Sequence, residues 1–73
     1  MVIVYTLPHC GICNMVKNKL NLKNIDFIEK DFQIIAEQIQ RDHAPAIEII
    51  DDNHTIINSP SEIVAWINKQ LGD

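Results

Sequence analysis

The chain has few of the residues that hold small proteins together without a core. Its 73 residues include two cysteines, two glycines and three prolines. Small secreted domains that depend on disulfides carry more cysteines, and structural zinc sites commonly use four ligands in two pairs. Because a disulfide across so short a loop adds little stability, we expect the two cysteines to serve chemistry. Hydrophobic residues make up 47% of the chain, which predicts one small globular domain over residues 1–73.

Positive charge is also scarce. The six lysines and arginines are scattered along the chain, and the formal net charge is −4. Without a basic patch, no nucleic-acid partner is expected. No apolar run approaches the length that crosses a bilayer, and no basic segment precedes the N-terminal apolar stretch, so neither membrane association nor a signal peptide is expected. We expect a cytoplasmic protein and, by default, a monomer.

The most informative motif is Cys10-Gly11-Ile12-Cys13. It follows a strand-like run, Met1–Thr6, and stands at the start of a helix-like run, Ile12–Leu22. A helix places residues three apart on one face, so the two sulfurs can form a disulfide. Unpaired N–H groups and the positive end of the helix dipole favour the thiolate at the first cysteine. The motif therefore predicts a redox nucleophile that needs no tightly bound cofactor.

The first half of the chain predicts two helices and two strands. Met1–Thr6 is apolar and β-branched, as in a strand buried on both faces. Ile25–Glu29 partly alternates, as a strand near a sheet edge does, and Asp31 is a candidate N-cap for a second helix. The apolar sides predicted for the two helices are Ile12, Cys13, Met15, Val16 and Leu20 in the first, and Phe32, Ile35, Ala36 and Ile39 in the second.

The second half predicts a hairpin followed by a helix. Ala46–Ile50 and Thr55–Ile57 are short apolar runs separated by turn residues 51–54. Ser59 is a candidate N-cap, Pro60 suits the first helical position, and Glu62 is placed to close a capping box with Ser59. The helix that follows has an apolar side and a predicted stop, listed here as Ile63, Val64, Trp66, Ile67, Leu71 and Gly72.

The order of elements is βαβ, then α, then a ββ hairpin, then α. The first unit requires parallel strands joined by a right-handed crossover. The hairpin contributes two more strands. The sequence therefore predicts an α/β fold with a four-stranded mixed sheet and three helices.

This order, the Cys10-Gly11-Ile12-Cys13 motif after the first strand, and Pro45 just before the third strand resemble the glutaredoxin branch of the thioredoxin-like superfamily. The resemblance covers essentially the whole chain and implies a thioredoxin-like fold and dithiol–disulfide oxidoreductase activity on protein or low-molecular-weight disulfides. It implies that Cys10 is the exposed nucleophile and Cys13 the more buried resolving thiol. It also implies that Pro45 follows a cis peptide bond and that the Ala44 backbone binds an extended substrate segment.

The resemblance leaves the source of electrons open. Ser61 and Glu62 fall where glutathione-binding glutaredoxins carry polar residues at the start of the last helix, which makes glutathione a candidate co-substrate. Asn58-Ser59 replaces the Gly-Gly pair of those proteins. A second branch of small redoxins donates electrons to ribonucleotide reductase and is recycled by thioredoxin reductase. Both electron sources are compatible with the sequence.

His9 directly precedes the first cysteine. As a cation its imidazole would favour the Cys10 thiolate further. An exposed loop histidine with little effect is the simpler interpretation. We include His9 among the candidate substrate-binding residues.

Two functions of other classes are alternatives to catalysis. One is a metal site, for which Cys10, Cys13, His9, His43 and His54 are the candidate ligands. The resemblance adds a variant of it, an iron–sulfur cluster that some glutaredoxins share between two chains through the first cysteine and glutathione. The other is a binding module that uses a thioredoxin-like fold without catalysis. We expect no bound metal, because only one cysteine pair is present.

Overall fold

A four-stranded mixed sheet with helices on both faces organises the molecule. The computed structural model describes residues 1–39 and 44–70. In chain order the elements are β1 (Val2–Thr6), α1 (Gly11–Leu22), β2 (Ile28–Asp31), a 3-10 turn (Phe32–Ile34), α2 (Ala36–Ile39), β3 (Ala46–Ile50), β4 (His54–Ile57) and α3 (Pro60–Asn68). The predicted fold class, βαβαββα, is confirmed.

The strand order in the sheet is β2-β1-β3-β4. β1 pairs in parallel with β2, and β3 pairs antiparallel with both β1 and β4. The first strand is therefore central, and four of its five residues are buried, as its uninterrupted apolar run predicts. β4 begins at His54, one residue earlier than predicted, because His54 pairs with Ile50 across the hairpin.

Each face of the sheet has its own core. Successive strand residues point to opposite faces, so the buried side chains of β1 and β3 divide between the two. One core joins the sheet to α1 and α3 through Val4, Val16, Leu20, Ile47, Ile49, Ile63 and Ile67. The second core joins the other face of the sheet to the 3-10 turn and the residue that follows it. Its members are Ile3, Tyr5, Phe32, Ile35 and Ala46.

The buried stripe of α1 is narrower than predicted. Cys13, Val16 and Leu20 are buried, whereas Ile12 and Met15, assigned to the same side from the sequence, are exposed. The buried residues follow an i, i+3, i+7 pattern, which is the single row that faces the sheet and α3. Apolar character alone did not distinguish this buried row from the neighbouring exposed residues, Ile12 and Met15.

The second strand begins later than predicted, at Ile28 instead of Ile25. Asn24 adopts a left-handed φ of 56°, the N–H of Ile25 donates to the Leu20 carbonyl at 3.0 Å, and that of Asn24 donates to the Asn21 carbonyl at 3.0 Å. These two bonds form a Schellman motif, which ends α1. Ile25 therefore caps the helix and packs on the core, so it does not join the sheet.

The predicted second helix is replaced in part by a 3-10 turn. Asp31 caps this turn as predicted, because its carboxylate accepts the N–H of Gln33 at 2.9 Å. The cap lies at the last residue of β2, so the chain turns directly out of the strand. Phe32 and Ile35 are buried as the spacing predicts.

The predicted capping box of α3 is absent. Ser59 is the N-cap and Pro60 the first helical residue, but the Ser59 side chain makes no capping hydrogen bond. Its hydroxyl instead lies 3.1 Å from that of Ser61. Of the predicted apolar side, Ile63 and Ile67 are buried. Leu71 and Gly72 lie outside the described residues.

None of the helices in the described ranges is long and apolar enough to span a bilayer.

Candidate active site

The topology brings four chain segments to one end of the sheet. β1 and β2 are parallel, so both end there, while the antiparallel strand β3 begins there and β4 ends there. The loop that carries the cysteines, the Ala44-Pro45 segment and the start of α3 therefore lie at this end. Residues that are distant in sequence become neighbours because of this arrangement.

The two cysteines form a disulfide at the start of α1. Their Cα atoms are 5.2 Å apart, and Cys10 is the N-cap residue. The Cys10 Sγ accepts the N–H of Cys13 at 3.1 Å. Cys10 is half-buried, whereas Cys13 is only 1% exposed. The pair is thus asymmetric. The half-buried Cys10 lies at the N-terminus of the helix, the positive end of its dipole, and the buried Cys13 lies one turn further along.

His9 is exposed and has an unusual backbone conformation. Its φ is 59°, in the left-handed region that residues with a Cβ seldom adopt. This conformation directly precedes Cys10, whose own backbone is extended, with φ −103° and ψ 104°. The local structure of His9 therefore turns the chain from Pro8 into the helix start.

Ala44 and Pro45 lie directly before β3, at the end of the sheet that carries the cysteine loop. Their peptide bond is cis, as expected. Tyr5 pairs with Ala46, so Pro45 is at the level where β1 ends and the loop to Cys10 begins. Pro45 is fully buried, and Ala44 is half-buried against the second core.

Ser61 and Glu62 are exposed in the first turn of α3. They lie at the same end of the sheet as the disulfide, because β4 ends beside the start of β3. Glu62 also places an acidic group at the positive end of the helix, which is favourable. The Ser61 hydroxyl lies 3.1 Å from that of Ser59.

A cleft of about 500 Å³ opens beside Cys10 on the β2 side of the loop. Glu29 lies in it and accepts hydrogen bonds from the Thr6 hydroxyl at 2.6 Å and the Lys17 ammonium at 3.0 Å. These bonds, that of Thr6 first, hold the pKa of Glu29 below its usual value. These hydrogen bonds connect the end of β1 and α1 to β2, and they hold Thr6, Lys17 and Glu29 in place where they line the cleft.

Metal ligands are not grouped in the described part of the chain. Within residues 1–39 and 44–70, no three His, Cys, Asp or Glu side chains come together to hold a metal ion. His43, one of the candidate ligands, lies outside these ranges.

A disulfide at a helix start and a cis-proline at the same end of a four-stranded mixed sheet define a dithiol protein of thioredoxin-like fold. Among solved structures, the trimeric glutathione transferase TDR1 of Leishmania is similar, with a TM-score of 0.76 and 13% identity. The similarity covers 93% of this chain but only 17% of that protein, and it supports the fold. No curated protein sequence matches the chain.

The glutaredoxin family model matches residues 2–54, which is more than half of the chain. The chain therefore belongs to the glutaredoxin family. With the Cys10–Cys13 disulfide, this membership indicates thiol redox chemistry.

Two features of the site were not predicted from the sequence. Asn58 donates a hydrogen bond from its side-chain amide to the Pro45 carbonyl at 3.0 Å. Glu29 bridges Thr6 and Lys17. An asparagine between a strand and a helix is common in turns, and a glutamate on an edge strand is usually solvated, so neither residue type alone indicated its contact.

Proposed function

We propose that the protein is a dithiol–disulfide oxidoreductase that reduces protein or low-molecular-weight disulfides through Cys10 and Cys13. The proposal rests on the difference in burial between the two cysteines. The sulfur of the half-buried Cys10 accepts a hydrogen bond from the N–H of Cys13 at the helix N-terminus, and Cys13 is almost fully buried. An N–H directed at sulfur favours the thiolate, the form that attacks disulfides.

The reaction consists of two exchanges. In the reduced protein the Cys10 thiolate attacks one sulfur of a substrate disulfide, and the substrate S–S bond breaks. One substrate thiolate leaves and takes a proton from solvent, while the other sulfur stays bonded to Cys10. Cys13 then loses its proton and attacks the Cys10 sulfur, which releases the second substrate thiol. Two electrons have passed to the substrate, and the protein is left with the disulfide described above.

The residues around the disulfide supply the substrate surface in this proposal. The backbone of Ala44 receives an extended substrate segment next to Pro45. His9 flanks the nucleophile on the exposed side, and its imidazole, when protonated, favours the thiolate. Ser61 and Glu62 offer hydroxyl and carboxylate groups to a polar ligand such as glutathione.

Recycling of the disulfide requires a two-electron donor. We propose glutathione or thioredoxin reductase for this role, with no tightly bound cofactor. The protein would act as a cytoplasmic monomer on disulfide-containing proteins, ribonucleotide reductase being one candidate.

The test uses two single substitutions, Cys10→Ser and Cys13→Ser. The chain has two cysteines, so each variant retains a single thiol whose products can be assigned by mass. We expect Cys10→Ser to abolish disulfide reduction and Cys13→Ser to accumulate a mixed disulfide at Cys10. Full turnover by Cys10→Ser would refute the mechanism, and an inactive wild type would favour a non-catalytic binding module.

The electron donor is identified in the same assay. The oxidised protein is supplied with NADPH and either glutathione plus glutathione reductase or thioredoxin reductase alone. Loss of NADPH absorbance with one system, and not with the other, shows which donor reduces the Cys10–Cys13 disulfide.

A further inference from the structure

Asn58 connects the start of α3 to the proline segment. It follows Ile57, the last residue of β4, which pairs with Ile47 of β3. The Asn58 Nδ2 donates to the Pro45 carbonyl at 3.0 Å, although the two residues are 13 positions apart. The side-chain amide thus continues the hydrogen bonding between β4 and β3 beyond the last backbone pair.

This bond acts on a peptide group with little access to water. Pro45 is fully buried, and Asn58 is half-buried. A carbonyl in such a position is costly to leave without its donor, because water does not readily replace the lost bond. The amide of Asn58 therefore fixes the orientation of the Pro45–Ala46 peptide, which directly follows the cis Ala44–Pro45 peptide. Ala44, whose backbone receives the substrate in the proposed function, is the adjacent residue.

We propose that Asn58 is a positioning residue for substrate capture, which rests on the proposed function. By holding Pro45, Asn58 keeps the Ala44 backbone in the orientation that an extended peptide requires. The bond runs to Pro45, directly before β3, so we expect the effect of Asn58 on the binding segment. Its effect should fall on substrates that bring a peptide backbone, and spare disulfides that have none.

The test compares two substrates in two variants. Asn58→Leu keeps approximately the size of the side chain and removes the donor, and Asn58→Ala removes both. The substrates are a disulfide-linked dimer of an extended peptide and 2-hydroxyethyl disulfide, which has no peptide backbone. We expect KM for the peptide to rise roughly three- to tenfold in both variants, with kcat unchanged. For 2-hydroxyethyl disulfide we expect KM to change less than about twofold.

Two controls separate positioning from general destabilisation. The rate at which iodoacetamide alkylates Cys10 in the reduced variants should equal that of the wild type. Tyr5→Phe removes a comparable hydrogen bond from the second core, to Glu48 on the sheet, and should leave the peptide KM unchanged.

The inference is overturned by any of three results. The first is a peptide KM in both Asn58 variants equal to that of the wild type. The second is an equal rise in KM for the peptide and for 2-hydroxyethyl disulfide. The third is a rise in the peptide KM of Tyr5→Phe as large as that of the Asn58 variants. Failure of the proposed function is distinguishable, because an inactive wild type or an active Cys10→Ser variant appears before any Asn58 variant is compared.

Discussion

The hydrogen bond between Tyr5 and Glu48 should be a principal contributor to stability on the sheet face that carries the second core. The Tyr5 hydroxyl donates to the Glu48 carboxylate at 2.6 Å, and the other carboxylate oxygen pairs with His54. Tyr5 is 5% exposed. Burial and then the Glu48 bond raise the pKa of Tyr5 to about 12, and bonds from Tyr5 and His54 lower that of Glu48.

The proposed perturbation is Tyr5→Phe, which removes one oxygen and keeps the packing. A hydrogen bond to a charged group contributes about 1.5–3 kcal/mol. The Glu48 side chain is only 13% exposed, so solvent screens the Tyr5–Glu48 bond little. In the variant Glu48 keeps its pairing with His54, so its charge is not left without a partner. The His54 side chain is 58% exposed, so that pairing itself contributes little to stability. We therefore expect a loss near the lower end, about 1.5–2 kcal/mol. For a domain of this size that corresponds to a fall in Tm of roughly 6–16 °C.

The same bond predicts how the loss depends on pH. Tyr5 has a raised folded pKa, so its contribution is complete below the unfolded value of about 10 and disappears as the pH rises towards 12. Glu48 has a lowered folded pKa, so its contribution is complete above its ordinary value of 4.5 and is lost as the pH falls below it. The wild type and Tyr5→Phe should differ most in the plateau between these limits.

Urea unfolding of both proteins across this pH range measures the difference directly. Glu48→Gln completes a double-mutant cycle, which isolates the pair from the separate effects of each substitution. The reasoning fails if the neutral-pH difference is below about 0.5 kcal/mol, or if it is the same in acid, on the plateau and in alkali.

Two further predictions concern the site itself. His9 has a left-handed φ of 59°, so His9→Val should be less stable to urea than His9→Gly by about 1–2 kcal/mol, and equal stability would argue against backbone strain there. The lowered pKa of Glu29 means that its stabilising effect holds above its ordinary pKa of 4.5 and fades in acid. Urea unfolding of Glu29→Gln should therefore approach the wild type as the pH falls, whereas a constant gap would contradict the Thr6 and Lys17 bonds.

Local sequence signals predicted the parts of the fold that depend on local structure. The apolar run at the N-terminus indicated a buried central strand, Pro60 marked the start of α3, and Asp31 is a cap as expected. The cysteine motif between a strand and a helix located the disulfide, because two residues three positions apart at a helix start can bring their sulfurs together.

Where two local interpretations competed, the sequence did not decide between them. Ile25 suits a strand or a helix cap, and the Schellman motif at Asn24 selects the cap. Ser59 and Glu62 suit a capping box, but the Ser59 hydroxyl pairs with Ser61. In both cases the bond that forms joins residues at most five positions apart, so residue type alone leaves open which of two local hydrogen bonds is made.

By itself, the sequence determined the order of elements and the position of the reactive dithiol, since both follow from residues close together in the chain. The tertiary structure alone decided which contacts surround the dithiol and which join the second core to the sheet. The Asn58–Pro45 bond, the Glu29 network and the Tyr5–Glu48 bond join residues 12 to 43 positions apart. Such contacts depend on strand order and register, and a shift of one residue would turn the side chains of the strand residues among them to the opposite face of the sheet.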